Sequence, residues 1–148
     1  MAATRQSKWT LAVKTGKRSG AILDHMALRC LIVDDNAGFL RSARLLLERE
    51  GITVVAVAST GEDALRQAEA LGPDVVLVDI DLGGESGFDV VGRLHGRSGV
   101  SASNVILIST HAEQDFADLI DATPAVGFIS KSHLTAGSIH RLLARRGT

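Results

Sequence analysis

The sequence predicts an α/β fold: a doubly wound, five-stranded parallel sheet flanked by five helices. Three observations carry this. Short, wholly apolar runs recur along the chain, each ending in polar residues. A strand buried on both faces reads that way, because neither face meets water. Segments with apolar residues at helical spacing separate those runs. The third observation is Val75–Gly87, V-V-L-V-D-I-D-L-G-G-E-S-G, where four aliphatic residues run directly into Asp79. An acid there faces the crevice in which open α/β sheets bind ligands.

The elements follow in order. Leu28–Val33 reads as the first strand and ends in Asp34-Asp35. The next helix carries Phe39, Leu40, Ala43, Leu46 and Leu47 on one face, and Gly51 suits its C-terminal cap. Asp34-Asp35 could serve as that helix's N-cap, alone or together with metal binding. Ile52–Ala58 is the second strand. Thr60, with Asp63 three residues on, starts a helix whose apolar face is Ala64, Leu65, Ala68 and Leu71, and Gly72-Pro73 ends it. Val75–Val78 is the third strand, followed by a helix from about Phe88 to Leu94. Val105–Ile108 is the fourth, ending in Ser109-Thr110. A helix over Glu113–Asp121 is acidic on its surface and is broken by Pro124. Val126–Ile129 is the fifth strand, ending at Ser130-Lys131. The last helix takes Leu134, Ile139, Leu142 and Leu143 to the core and finishes in Arg141, Arg145 and Arg146, cations suited to the negative end of its dipole.

At 148 residues the chain suits one domain with a substantial core. Apolar content of 45% and charged content of 22% place it with soluble globular proteins. A net charge of −1 gives no general pull toward nucleic acid or membrane. The basic residues are concentrated at the start, where Arg5, Lys8, Lys14, Lys17 and Arg18 stand against Asp24. Residues 1–25 show neither strand nor helix periodicity. They are expected to form a disordered extension, with one domain over 26–148. Cys30 is the only cysteine, which suits a reducing, cytoplasmic setting and a buried apolar role. No apolar run reaches a membrane span. The five histidines, His25, His95, His111, His133 and His140, show no metal-ligand spacing and read as surface or incidental.

Polar residues follow four of the strands: Asp34 and Asp35, Asp79 with Asp81, Ser109 with Thr110, and Lys131. In a parallel sheet all of these lie on one edge. Carboxylates there suit a hard cation such as Mg²⁺. A carboxylate can also attack phosphorus to form an acyl phosphate, while a hydroxyl and an ammonium offset the charge of the transferring group.

The segments L-I-V-D-D-N at 31–36, V-D-I-D-L-G-G-E-S-G at 78–87, I-L-I-S-T at 106–110 and G-F-I-S-K-S at 127–132 carry a resemblance. Together, from about Leu28 to Leu143, the chain resembles the receiver domain of two-component response regulators. The spacing of Asp35, Asp79, Ser109 and Lys131 is similar to that family's. The resemblance implies a flavodoxin-like sheet of strand order 2-1-3-4-5. It implies that Asp79 is the phosphoacceptor, that Asp35 ligates Mg²⁺ directly, that Asp34 does so directly or through water, and that the backbone carbonyl of Asp81 is a further ligand. Ser109 would bond the phosphoryl group and Lys131 would pair with it. Phe128 matches an aromatic that turns inward as the Ser109 loop closes, reshaping the surface of the fourth helix, fifth strand and fifth helix. The implied partners are a sensor histidine kinase or phosphotransfer protein, a downstream partner or output domain, and a second copy of the chain on phosphorylation. No membrane or direct nucleic-acid contact by this domain is implied, and no catalysis beyond its own phosphorylation and dephosphorylation.

Two positions depart from the family pattern. Gly83 stands where proline is common, so a mobile loop is expected there, and Ser132 stands where many members have proline after the lysine. Two other functions fit parts of the chain. V-L-V-D-I-D-L resembles the aspartyl motif of haloacid-dehalogenase-like phosphohydrolases, with Asp79 as nucleophile and Asp81 as acid/base. That reading leaves Asp34-Asp35 unexplained. A phosphorylation-independent binding module on the same fold would not need the complete set of acids and lysine.

Overall fold

The computed structural model describes residues 11–12, 14–15, 27–97, 104–111 and 113–145. Its apolar runs form one parallel sheet of five strands: β1 (Arg29–Val33), β2 (Thr53–Ala58), β3 (Val75–Asp79), β4 (Val105–Ser109) and β5 (Gly127–Ser130). Their spatial order is β2-β1-β3-β4-β5, the expected 2-1-3-4-5. The helices are α1 (Ala37–Arg49), α2 (Gly61–Leu71), α3 (Gly87–Arg97), α4 (Ala117–Ala122) and α5 (Ala136–Arg145).

Alternation along the strands divides the core into two layers. Cys30 and Ile32 of β1 join Leu77, Ile106, Ile108 and Ile129 beneath Leu47 of α1 and Ile139 and Leu142 of α5. Leu31 and Val33 point the other way, with Val76, Val78 and Leu107, beneath Leu65 of α2 and Val90, Val91 and Leu94 of α3. All residues of β3 and β4 are buried, as continuous apolar runs require. The core fixes the register, and the register fixes the site: Asp79 pairs with Ile108, and Ser109 pairs with Ser130.

Caps set the helix ends. Thr60 accepts a hydrogen bond from the Asp63 N–H at 3.1 Å, as expected. Gly72 ends α2 in the left-handed region at φ +54°. The N-cap of α1 is neither Asp34 nor Asp35 but Asn36, whose side chain accepts from the Phe39 N–H at 3.0 Å. Asp34 is instead directed back into the sheet edge.

Two elements differ from expectation. The expected helix over Glu113–Asp121 is split, with a 3-10 turn over Glu113–Phe116 leading into a short α4. Phe116 provides no side-chain cap, and Phe116 and Ile120 are only partly buried against the core, so little favours a longer α-helix. Leu134 is buried but precedes α5, reaching the core through a 3-10 turn over Lys131–His133. Within the expected extension, Leu11–Ala12 pairs antiparallel with Lys14–Thr15. The rest of 1–25 lies outside the described residues, as does Arg146.

Candidate metal and phosphoryl site

Four strand ends bring the predicted residues together. Asp34 directly follows β1 and is fully buried. Its Oδ1 accepts the Asn36 N–H at 2.9 Å, so the residue that caps α1 also orients this acid. Asp35, next in sequence, is exposed. Asp79 ends β3 and is 6% exposed, and its Oδ1 accepts the Asp81 N–H at 3.2 Å. Each of Asp34, Asp35 and Asp79 offers one carboxylate oxygen, and these lie within 4.8 Å of one another.

Lys131 enters from the end of β5. Its Nζ lies 2.6 Å from Asp34 Oδ2 and donates a hydrogen bond to Asp79 Oδ2 at 3.1 Å. At 2.6 Å the Asp34 contact is a close ion pair, and it engages the buried Oδ2 with the ammonium. Burial is the largest influence on Asp79 and raises its carboxyl pKa above the ordinary value. The Asp81 N–H and Lys131 oppose the rise, the Asp34 charge adds to it, and the balance is upward. For Lys131, burial alone would lower the ammonium's pKa. Its hydrogen-bonding and charge contacts with Asp34 and Asp79 outweigh that and hold it raised.

The loop after Asp79 is folded tightly. Asp81 is exposed, and its Oδ1 accepts the Gly83 N–H at 3.1 Å. Gly83 sits at φ +77°, and a Cβ there would come 2.9 Å from Asp35 Oδ2. Proline is excluded at that angle, because its ring fixes φ near −65°. The loop therefore takes a conformation that glycine alone serves well, and its bare Cα leaves room for the Asp35 carboxylate. At Gly87 a Cβ would lie 2.7 Å from Ile80 Cα, so α3 starts pressed against the end of β3. Glu85 ties the loop sideways, accepting the Gly61 N–H at 2.7 Å and pairing with Arg93 at 2.8 Å.

Ser109 is buried at the end of β4. Its Oγ accepts the His111 N–H at 2.9 Å and lies 3.3 Å from His111 Nδ1. The His111 ring meets Phe116 edge-on at 5.6 Å, and Phe116 lies 6.5 Å from Phe88. His111 is on the surface as expected, and it also holds the hydroxyl of Ser109, a candidate site residue. Its position two residues after Ser109, within reach of a local side-chain-to-backbone turn, is the signal that could have marked it. Phe128 is half-buried on β5, level with Leu107, and lies against the α2–α3 layer of the core rather than among the acids. Among the described residues no peptide bond is cis, consistent with Ser132 in place of proline.

The donor set fits a hard divalent cation: carboxylate oxygens only, from two buried acids and one exposed one, beside a glycine that leaves the cradle open. Among the described residues, this is the one such cluster of acids, histidines or cysteines.

A family model described as "Response regulator receiver domain" matches residues 30–143. The nitrate/nitrite response regulator protein NarP of Escherichia coli is 41% identical over 102 residues, covering 68% of this chain and 46% of that protein. The solved signal receiver domain of the NarL response regulator from Mycobacterium tuberculosis matches with TM-score 0.65 and 26% identity, covering 81% of this chain and 95% of that one. A Burkholderia pseudomallei response regulator, solved with a phosphorylated aspartic acid, calcium ion and citrate, matches with TM-score 0.65 and 25% identity, covering 78% and 66%. The chain spans about half the length of the first curated relatives it matches.

Proposed function

The chain belongs to the response regulator receiver domain family, and from that premise we propose that it is a phosphorylation-controlled signalling switch in which Asp79 is the phosphoacceptor. The donor is the phosphohistidine of a sensor histidine kinase or a phosphotransfer protein. One Asp79 carboxylate oxygen attacks phosphorus, the P–N bond to imidazole breaks, and the imidazole nitrogen leaves with the bonding pair and takes up a proton. The observation that carries this reading is the shared pocket. Asp79 lies in hydrogen-bond contact with Lys131 and has an oxygen within 4.8 Å of oxygens from both Asp34 and Asp35.

Asp34, Asp35, Asp79 and the backbone carbonyl of Asp81 would hold Mg²⁺. When bound, it would supply positive charge against the oxygens of the transferring group. Lys131 supplies a second cation and passes from the Asp79 carboxylate to a phosphoryl oxygen. Ser109 exchanges its bond to His111 for one to the phosphoryl group, and Phe128 turns inward as that loop moves. The new dianion thereby biases the surface of α4, β5 and α5 between two states. The signal passes to a partner, an output domain or a second copy of the chain, in the cytoplasm, and this domain itself needs no nucleic-acid contact. The domain catalyses no reaction beyond its own phosphorylation and dephosphorylation.

The Asp81 carboxylate is engaged by the Gly83 N–H. That favours a loop-folding part for it over the general-acid part a haloacid-dehalogenase-like phosphohydrolase would require. The test uses a phosphohistidine-bearing kinase fragment as donor. Label should pass to the protein in Mg²⁺ and be lost in Asp79→Asn. Steady hydrolysis of a phosphate ester would favour the phosphohydrolase, and an unlabelled wild type a phosphorylation-independent module.

A further inference from the structure

The Lys131 ammonium has a third neighbour besides the two carboxylates. Its Nζ lies 4.3 Å from the centroid of the Phe39 ring. With Asp34 Oδ2 at 2.6 Å and Asp79 Oδ2 at 3.1 Å, the ammonium has two carboxylates and an aromatic face around it. We propose that Phe39 is a positioning residue for Lys131: its ring seats the ammonium toward the site acids instead of solvent. The proposal rests on the reading of Asp79 as phosphoacceptor and deepens it.

A lysine stem is long and flexible, and holding it in one place costs side-chain entropy. The face of an aromatic ring carries partial negative charge and attracts a cation, more strongly where water is scarce. Here the Lys131 side chain is 12% exposed. A leucine at this position would fill similar space but would offer no such face.

Phe39 is itself held from the site. Its N–H donates to Asn36 Oδ1, while the Asn36 N–H donates to Asp34 Oδ1. The ring packs against the core layer containing Ile32 and Leu134. One segment, Asp34 to Phe39, thus orients a site acid and delivers the ring that seats the site cation. Lys131 then stands beside Asp79 before any phosphoryl group arrives and needs no ordering during transfer.

The test compares Phe39→Leu with Phe39→Tyr in the full chain, using acetyl phosphate and Mg²⁺ as donor and following labelling of Asp79. Phe39→Leu should slow labelling by about fivefold, and Phe39→Tyr should keep most of the rate. In a Lys131→Ala background the Leu substitution should add no further loss. A second readout needs no phosphorylation: the Lys131 ε-methylene protons should be shifted upfield by the ring in NMR spectra of wild type and Phe39→Tyr, and relieved in Phe39→Leu. Equal rates in the Leu and Tyr variants, an undiminished Leu effect without Lys131, or unshifted ε-protons would each overturn the proposal. Shifted ε-protons in a wild type that accepts no phosphate would sustain the seating and refute the phosphoacceptor reading.

Discussion

Lys131 Nζ lies closer to Asp34 than to Asp79, 2.6 Å against 3.1 Å. The resting lysine therefore pairs chiefly with a fully buried acid, Asp34, and no other ion pair to that acid is found among the described residues. Before any phosphoryl group is present, it counters the negative charge at the sheet edge.

Replacing Lys131 should expose how much charge this edge carries. Lys131→Met leaves Asp34 and Asp79 facing one another with no cation. The expected cost is about 2 kcal/mol, below the range for a wholly buried pair because the lysine is partly wetted. Urea denaturation measures it. Added Mg²⁺ should restore more stability to the variant than to wild type, since it replaces the missing charge.

Asp79 gives a pH signature. Its carboxyl pKa is raised in the folded protein, chiefly by burial. The folded state therefore holds this proton more tightly than the unfolded state. The stability this contributes is complete below the ordinary aspartate value, roughly 4, and is lost as pH rises through the folded value. Asp79→Asn removes the penalty. Its melting temperature should exceed that of wild type at neutral pH without Mg²⁺, and the gap should close as the pH is taken toward that ordinary value.

Gly83→Ala should act on the metal more than on the fold. The substitution places a side chain at φ +77° and a Cβ 2.9 Å from Asp35 Oδ2. The backbone strain costs about 1 kcal/mol. The displaced Asp35 should weaken Mg²⁺ binding, read by titration, while the parallel sheet persists by circular dichroism.

Glu85→Ala cuts two bonds at once, to the Gly61 N–H and to Arg93. A loss of about 1–2 kcal/mol is expected in thermal unfolding, from one charge-assisted hydrogen bond and one half-exposed ion pair. Site labelling should survive, because Glu85 braces the loop from its far side.

The fold was legible because Val75–Val78 and Val105–Ile108 are apolar at every position, a pattern that strands buried on both faces require. The site was legible because its residues stand at strand ends, and a parallel sheet gathers those ends. In the α4 region a helix was legible, but its type was not: with no side-chain cap at Phe116 and no fully buried residue, both set by tertiary packing, the first turn is 3-10 and the α-helix short. Asn36 as cap, His111 on Ser109 and Phe39 against Lys131 were also hidden. Each depends on side-chain direction, which spacing alone does not give. The left-handed conformation of Gly83 and its closeness to Asp35, a contact between two loops, were hidden as well.

Intact-protein mass spectrometry after incubation with acetyl phosphate reads out whether Asp79 accepts a phosphoryl group in a Mg²⁺-dependent way. A gain of one phosphoryl group is expected in Mg²⁺, absent after chelation, located on the peptide containing Asp79, and lost in Asp79→Asn. A gain that persists in Asp79→Asn, or no gain at all with Mg²⁺ present, would contradict the reading of Asp79 as phosphoacceptor.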